Sequence, residues 1–217
     1  MIPENKLIEL KKLRKDIQDC DSCRMRSFYN KPVGYAGSPI AEIMFIGEAP
    51  GADEVKEGKP FVGKSGKTLK DAIINAGIDL ENVFIANVIC CRPPNNVFPD
   101  DEIVVNACRH WLEKAFLFLK PKILIAVGGK AHKYFMNSNT GITQVCGQWS
   151  NESLDINGET YRFVYLPTLH PSFCLRGEMK NSPNKIMQLN SQDKQQLLQS
   201  HIASIPSKLK EVKNGNI

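Results

Sequence analysis

Four short apolar runs, at 43–46, 83–89, 123–127 and 163–166, lie far apart in the chain, and helical periodicities fill 68–76 and 103–119 between them. The runs are rich in Val, Ile, Leu and Phe and short enough to be strands buried on both faces. Strands that alternate with helices pair in parallel, so the expected class is α/β around a largely parallel sheet. The length of 217 residues suits one domain, 1–217, since single domains commonly run to ~100–200 residues or somewhat more.

Open parallel sheets bind ligands beyond the carboxyl ends of their strands. Here the first run leads into Gly47-Glu48-Ala49-Pro50-Gly51 and the second delivers Asn87 and then Cys91. The third meets Gly128-Gly129, and the fourth ends near His170-Pro171-Ser172. A carboxylate, an amide, a glycine pair and an imidazole are therefore expected on one rim. Soon after the first strand comes Glu54, then Gly58-Lys59-Pro60-Phe61-Val62-Gly63-Lys64-Ser65-Gly66. An aromatic side chain presented on such a loop can stack on a flat ligand such as a nucleobase; packing into the core is its ordinary alternative. The loop is neither a dinucleotide fingerprint nor a P-loop.

Leu7, Leu10, Leu13, Arg14 and Ile17 form an amphipathic period that leads into Cys20-Asp21-Ser22-Cys23. With Cys91 and Cys108 these cysteines form a four-thiol set suited to an iron–sulfur cluster or a zinc ion. Seven cysteines, an odd count, fit metal ligands and buried thiols in a reducing compartment better than a disulfide framework. Cys90 is an alternative ligand beside Cys91, whereas Cys146 and Cys174 read as packing thiols. Residues 1–10 lack the apolar run of a signal peptide, and no stretch approaches the ~18–20 apolar residues of a membrane span. A soluble intracellular protein, cytoplasmic or nucleoid-associated, is expected. The net charge of +5 suits a polyanionic partner as well as it suits an ordinary basic surface. The segment 178–193 reads as a mobile loop or insertion, 195–203 as a last helix and 208–217 as a frayed end.

Taken in order, the Gly47–Gly51 and Gly58–Gly63 runs, Asn87, Cys91-Arg92-Pro93-Pro94 and His170-Pro171-Ser172 resemble the family 4 uracil-DNA glycosylases, the iron–sulfur branch of their superfamily. The likeness spans about 20–176. It implies a three-layer α/β/α sandwich with a central four-stranded mostly parallel sheet, and excision of uracil from uracil-containing DNA by a monomer. It also implies that Cys20, Cys23, Cys91 and Cys108 hold a [4Fe–4S] cluster of structural role, with zinc the competing metal.

Under that resemblance Glu48, Ala49, Pro50, Phe61, Asn87 and His170 form the uracil site. The Asn87 amide offers a donor and an acceptor that match O4 and N3–H of uracil and mismatch cytosine. His170 would stabilise charge growing on O2 of the departing base. Glu48 is the favoured water-site carboxylate and Glu54 the second candidate. Ser172, Leu175 and Arg176 are expected at the DNA, with Leu175 as an apolar wedge. Lys59, Lys64, Lys67 and Arg92 are phosphate contacts or a solvated face. His110, His132 and His201 read as helix or surface residues. Asn95-Asn96-Val97 departs from the family run, which has an arginine after the first asparagine, and Cys90 stands where a basic residue is expected. The competing readings are a glycosylase for another deaminated base such as hypoxanthine, an inactive metal-stabilised DNA-binding module and, less favoured, a redox carrier.

Overall fold

The computed structural model describes residues 2–28, 31–99 and 101–215. Among them the strands are β1 (Ala36–Gly37), β2 (Ile43–Gly47), β3 (Val83–Asn87), β4 (Ile123–Val127), β5 (Ser150–Ile156) and β6 (Glu159–Thr168). The first helices are α1 (Glu4–Gln18), α2 (Met25–Phe28), α3 (Ala52–Glu57), α4 (Lys64–Asn75) and α5 (Glu102–Leu119). There follow α6 (Gly129–Met136), α7 (Ile142–Val145), α8 (Pro171–Cys174), α9 (Lys185–Gln188), α10 (Ser191–Ala203) and α11 (Ile205–Lys213).

The sheet order is β1-β3-β2-β4-β6-β5, with β3, β2, β4 and β6 parallel and the two edge strands antiparallel. The four-stranded expectation is thus met at the centre and corrected at the edges, where two antiparallel strands make six. The reason lies at Asn157 and Gly158, whose φ values of 54° and 82° form the tight turn that folds β5 back on β6.

Side chains alternate across the pleat and build two apolar layers. Met44, Ile46, Phe84, Leu124 and Phe163 pack against α1, α5 and α6. Phe45, Ile85, Ile125, Val164 and Leu166 pack against α4, α10 and α11. Helices therefore cover both faces of one sheet, as the three-layer reading expects. Burial of a core side chain such as Phe45 contributes about 1.5–3 kcal/mol.

The second apolar run leaves the ladder at Asn87, because Val88 N–H and Ile89 N–H turn to the carbonyls of Gly47 and Glu48. The expected frayed end is corrected up to Lys213. α11 buries Ile205 and carries Lys213 to an ion pair with Glu42, which also pairs with Lys122 at 2.9 Å. Residues 216 and 217 lie outside the described residues. The 178–193 segment follows a hydrogen-bonded path: Asn184 caps α9, and Met179 N–H donates to the Met187 carbonyl at 2.9 Å.

From β2 the chain moves to one side for β3, then crosses to the other for β4 and β6. This reversal opens a crevice between the carboxyl ends of β2 and β4, where an open α/β sheet places its ligand.

Candidate active site

A cavity of about 460 Å³ opens at that crevice, lined among others by Glu48, Phe61, Asn87 and His170. Ala49, Pro50, Glu54 and Ser172 also line it, whereas Leu175 and Arg176 lie outside its wall. The strand-end residues singled out in the sequence are brought together.

Asn87 ends β3 and is 3% exposed, yet its side-chain amide has no hydrogen-bond partner among the described residues. The amide lines the cavity, so its donor and acceptor are available to a ligand that presents an acceptor and a donor. Gly47 makes the arrangement possible. A Cβ there would stand 2.4 Å from Asn87 Oδ1 and 2.5 Å from Phe61 Cζ, so only a bare Cα fits between amide and ring.

Phe61 is 5% exposed and has φ of 55°, a left-handed conformation uncommon for a bulky residue. Two features hold it there. Its backbone lies against Gly66 of α4, where a Cβ would approach to 2.1 Å. The following amides, Val62 N–H and Gly63 N–H, both donate to Glu54 Oε1 at 3.0 Å, while Gly51 N–H donates to Glu54 Oε2 at 2.9 Å. The reading of Glu54 as a group acting on the substrate therefore meets a carboxylate already accepting three N–H groups. It knits the Gly51 turn to the Phe61 loop.

Glu48 lies at the start of α6, where Oε1 accepts the Lys130 N–H at 3.2 Å. A helix N-terminus favours negative charge. Gly128, at φ of 103°, lets this contact form, because a Cβ there would meet Glu48 Oε1 at 2.4 Å and His170 Cβ at 2.9 Å. Carboxylate and imidazole thus flank one glycine. The Lys130 amide escaped sequence reasoning because a backbone donor has no residue signature, although Gly128-Gly129 pointed to the spot.

His170 caps α8. Its Nδ1 accepts the Ser172 N–H at 3.1 Å and is 2.7 Å from Ser172 Oγ. An N–H group can only donate, so the neutral ring carries its proton on Nε2. Burial pushes the His170 pKa down, with Arg176 adding to the effect and Glu48 opposing it, which favours that neutral form. Ser172, expected at the DNA, lines the cavity and gives its hydroxyl to the imidazole. Leu175, 41% exposed, and exposed Arg176 follow directly.

Phe98 also lines the cavity; it stacks on Tyr134 with centroids 5.4 Å apart and was not singled out in the sequence. Of the four suggested phosphate contacts only Lys64 borders the cavity. His132 and His201 are buried on helices, bonded to Tyr165 Oη at 2.8 Å and to Thr168 Oγ1 at 2.9 Å.

Cys20, Cys23, Cys91 and Cys108 gather in a second region, at the end of α1, in the loops and on α5. Their sulfurs interact electrostatically with one another. Burial first, then the Cys108, Cys23 and Cys20 sulfurs, push the Cys91 thiol up to about 12. Trp111 Nε1–H donates to Cys20 Sγ at 3.3 Å, and the Cys90 thiol bonds to Cys108, holding the Cys108 thiol below its ordinary value. Among the described residues no three His, Cys, Asp or Glu side chains converge on a point that would hold a single metal ion. Four soft thiol donors are of the kind that holds a zinc ion or an iron–sulfur cluster. No helix among the described residues is long and apolar enough to cross a membrane.

The model of the uracil DNA glycosylase superfamily matches residues 35–194, and the chain belongs to that superfamily. Among curated proteins it is similar to the type-4 uracil-DNA glycosylase of Sulfurisphaera tokodaii, 37% identical over 174 residues that cover 76% of each chain. The type-4 enzyme of Pyrobaculum aerophilum is 35% identical over 78% of this chain and 86% of its own. That of Thermotoga maritima is 33% identical over 82% of this chain and 86% of its own.

Proposed function

We propose that the chain is a monofunctional uracil-DNA glycosylase of the type-4 kind, acting as a single-domain monomer inside the cell. The observation that carries this reading is the buried, unpartnered Asn87 amide beside the Phe61 ring, within a cavity that also holds a neutral His170.

A base within a duplex must leave the stack to reach such a cavity. Phe61 would stack on the flipped ring, with Ala49 and Pro50 closing the wall. Asn87 would donate to O4 and accept from N3–H, a pattern that cytosine reverses. As the bond from C1′ of the sugar to N1 breaks, its electron pair moves onto the base and charge collects at O2. The Nε2–H of His170 is the donor for that charge, which is worth most in a water-poor site. The free Oε2 of Glu48 would orient the water whose oxygen bonds to C1′, with its proton passing to solvent or to the released uracil. An abasic site remains, and no lysine in these motifs is placed for a Schiff base. Glu54 positions the loop and does not act on substrate, Ser172 sets the His170 tautomer, and Leu175 and Arg176 meet the DNA.

Cys20, Cys23, Cys91 and Cys108 would hold a [4Fe–4S] cluster that ties α1, the loop after β3 and α5 together. Its contribution here is cross-linking.

The test is uracil release from an oligonucleotide with one deoxyuridine, set against thymine, cytosine and hypoxanthine controls. Release from the uracil strand alone, lost in Asn87→Ala, supports the reading. Equal release of hypoxanthine points to a broader glycosylase, and folded, iron-loaded protein that frees no base is a DNA-binding module.

A further inference from the structure

Lys194, on α10, is 0% exposed, a setting in which an ammonium needs hydrogen-bond partners. Its Nζ donates to the carbonyls of Gly177 at 2.9 Å and Arg176 at 3.3 Å, and stands 4.5 Å from the Phe173 ring centroid. One turn earlier, Ser191 Oγ donates to the Cys174 carbonyl at 3.0 Å. The start of α10 thus grips three carbonyls of the segment that leaves the His170 turn. That segment presents Leu175, 41% exposed, and Arg176 to solvent, three and four residues beyond Ser172 of the cavity wall.

We propose that Lys194 is a positioning residue, clamping the 174–177 turn so that Leu175 is held ready to enter duplex DNA. The proposal rests on the glycosylase reading for its substrate, while the clamp itself is a property of the chain. Three N–H bonds on one compact cation can reach two carbonyls and a ring face together. An apolar residue of the same length would fill the space and leave both carbonyls untethered. A wedge that swings freely must be ordered each time a base is flipped, so its fixation bears on duplex substrates and hardly on unpaired strands.

Lys194→Met separates the alternatives. Trypsin cleavage of the Arg176–Gly177 bond, located by mass spectrometry, is expected to quicken about tenfold, the scale of a lost charge-assisted hydrogen bond. An unchanged rate overturns the clamp. Single-turnover uracil release is expected to fall about tenfold on a U·G duplex and less than about threefold on the same strand unpaired; equal losses overturn the wedge role. In a Leu175→Ala background the duplex loss should nearly vanish, because both changes act through one contact, and additive losses overturn it too. Should Lys194→Met fail to fold, Ser191→Ala leaves the ammonium in place and carries the same comparisons, with shifts of about threefold. Wild-type protein that frees no uracil from either strand sinks the glycosylase reading, while the trypsin result still decides the clamp.

Discussion

The base pocket and the cysteine corner are built on opposite terms. In the pocket three polar side chains are held by the protein's own backbone, Glu54 by three N–H groups, Glu48 by the Lys130 amide and His170 by the Ser172 amide, and Asn87 is left to face the cavity. In the corner the thiols have chiefly one another, Tyr35 and Trp111 as neighbours, and burial works against their ionisation. The pocket's carboxylates and imidazole are oriented by folding, whereas protonated, buried thiols gain from any partner that binds thiolates. Changes in the first should therefore reach rate before stability, and changes in the second stability before rate.

The largest effect is expected for Cys91→Ser. Loss of a metal site belongs to the few changes that cost more than about 4 kcal/mol, so bound iron and the denaturant midpoint should fall together. A midpoint unchanged alongside full iron content would place the ligand elsewhere, with Cys90 the first residue to examine. Next comes Asn87→Ala. Uracil release should drop about 100- to 1,000-fold with the melting temperature nearly level, since the amide faces the cavity and makes no hydrogen bond among the described residues. A fall in stability instead would mean that Asn87 serves the fold. Gly47→Ala should lose rate in the same way, because its methyl displaces both amide and ring. Glu54→Gln is expected to cost about 1–3 kcal/mol, spread over stability and uracil affinity, through a loosened Phe61 loop. A large loss in the chemical step with affinity intact would restore Glu54 as an acting group.

The smallest and broadest effect is that of pH. Burial lowers the pKa of His132, His170 and His201 below the ordinary 6.5. Below pH 6.5 the unfolded chain binds more protons than the folded one, so stability is full above that value and is lost as pH falls toward the folded pKa values. Denaturant titrations at pH 7.5 and below pH 6 check the sign. A metal centre held by the cysteine corner would respond in the same sense, since binding through thiolates is favoured as protons leave, so removing the metal should flatten the acid side of the profile.

How much of this could be read from the chain follows the same division. The parallel strands were legible because burial on both faces makes each an unbroken apolar run. β5 was not, since Ser150–Ile156 is an edge strand of mostly polar residues, although Asn157-Gly158 is a hairpin signal. Looking past strand ends pointed to Glu48, Asn87 and His170, which line one cavity. It did not show that Glu54, whose spacing from Gly51 is that of a capping box, accepts three backbone N–H groups, or that Ser172 bonds to an imidazole only two residues away. Lys194 was invisible, because a lysine in a polar stretch gives no hint that it will be buried.

The backbone of Phe61 carries a bias for laboratory evolution. A bulky residue at φ of 55° is kept at a local energetic loss of about 1–3 kcal/mol, and glycine there would relieve it. Truncating a buried phenylalanine costs about 3–5 kcal/mol, more than that relief, and Phe61 is packed into the apolar layer beneath α4, so selection for heat resistance alone should retain the ring and, with it, the wall of the cavity.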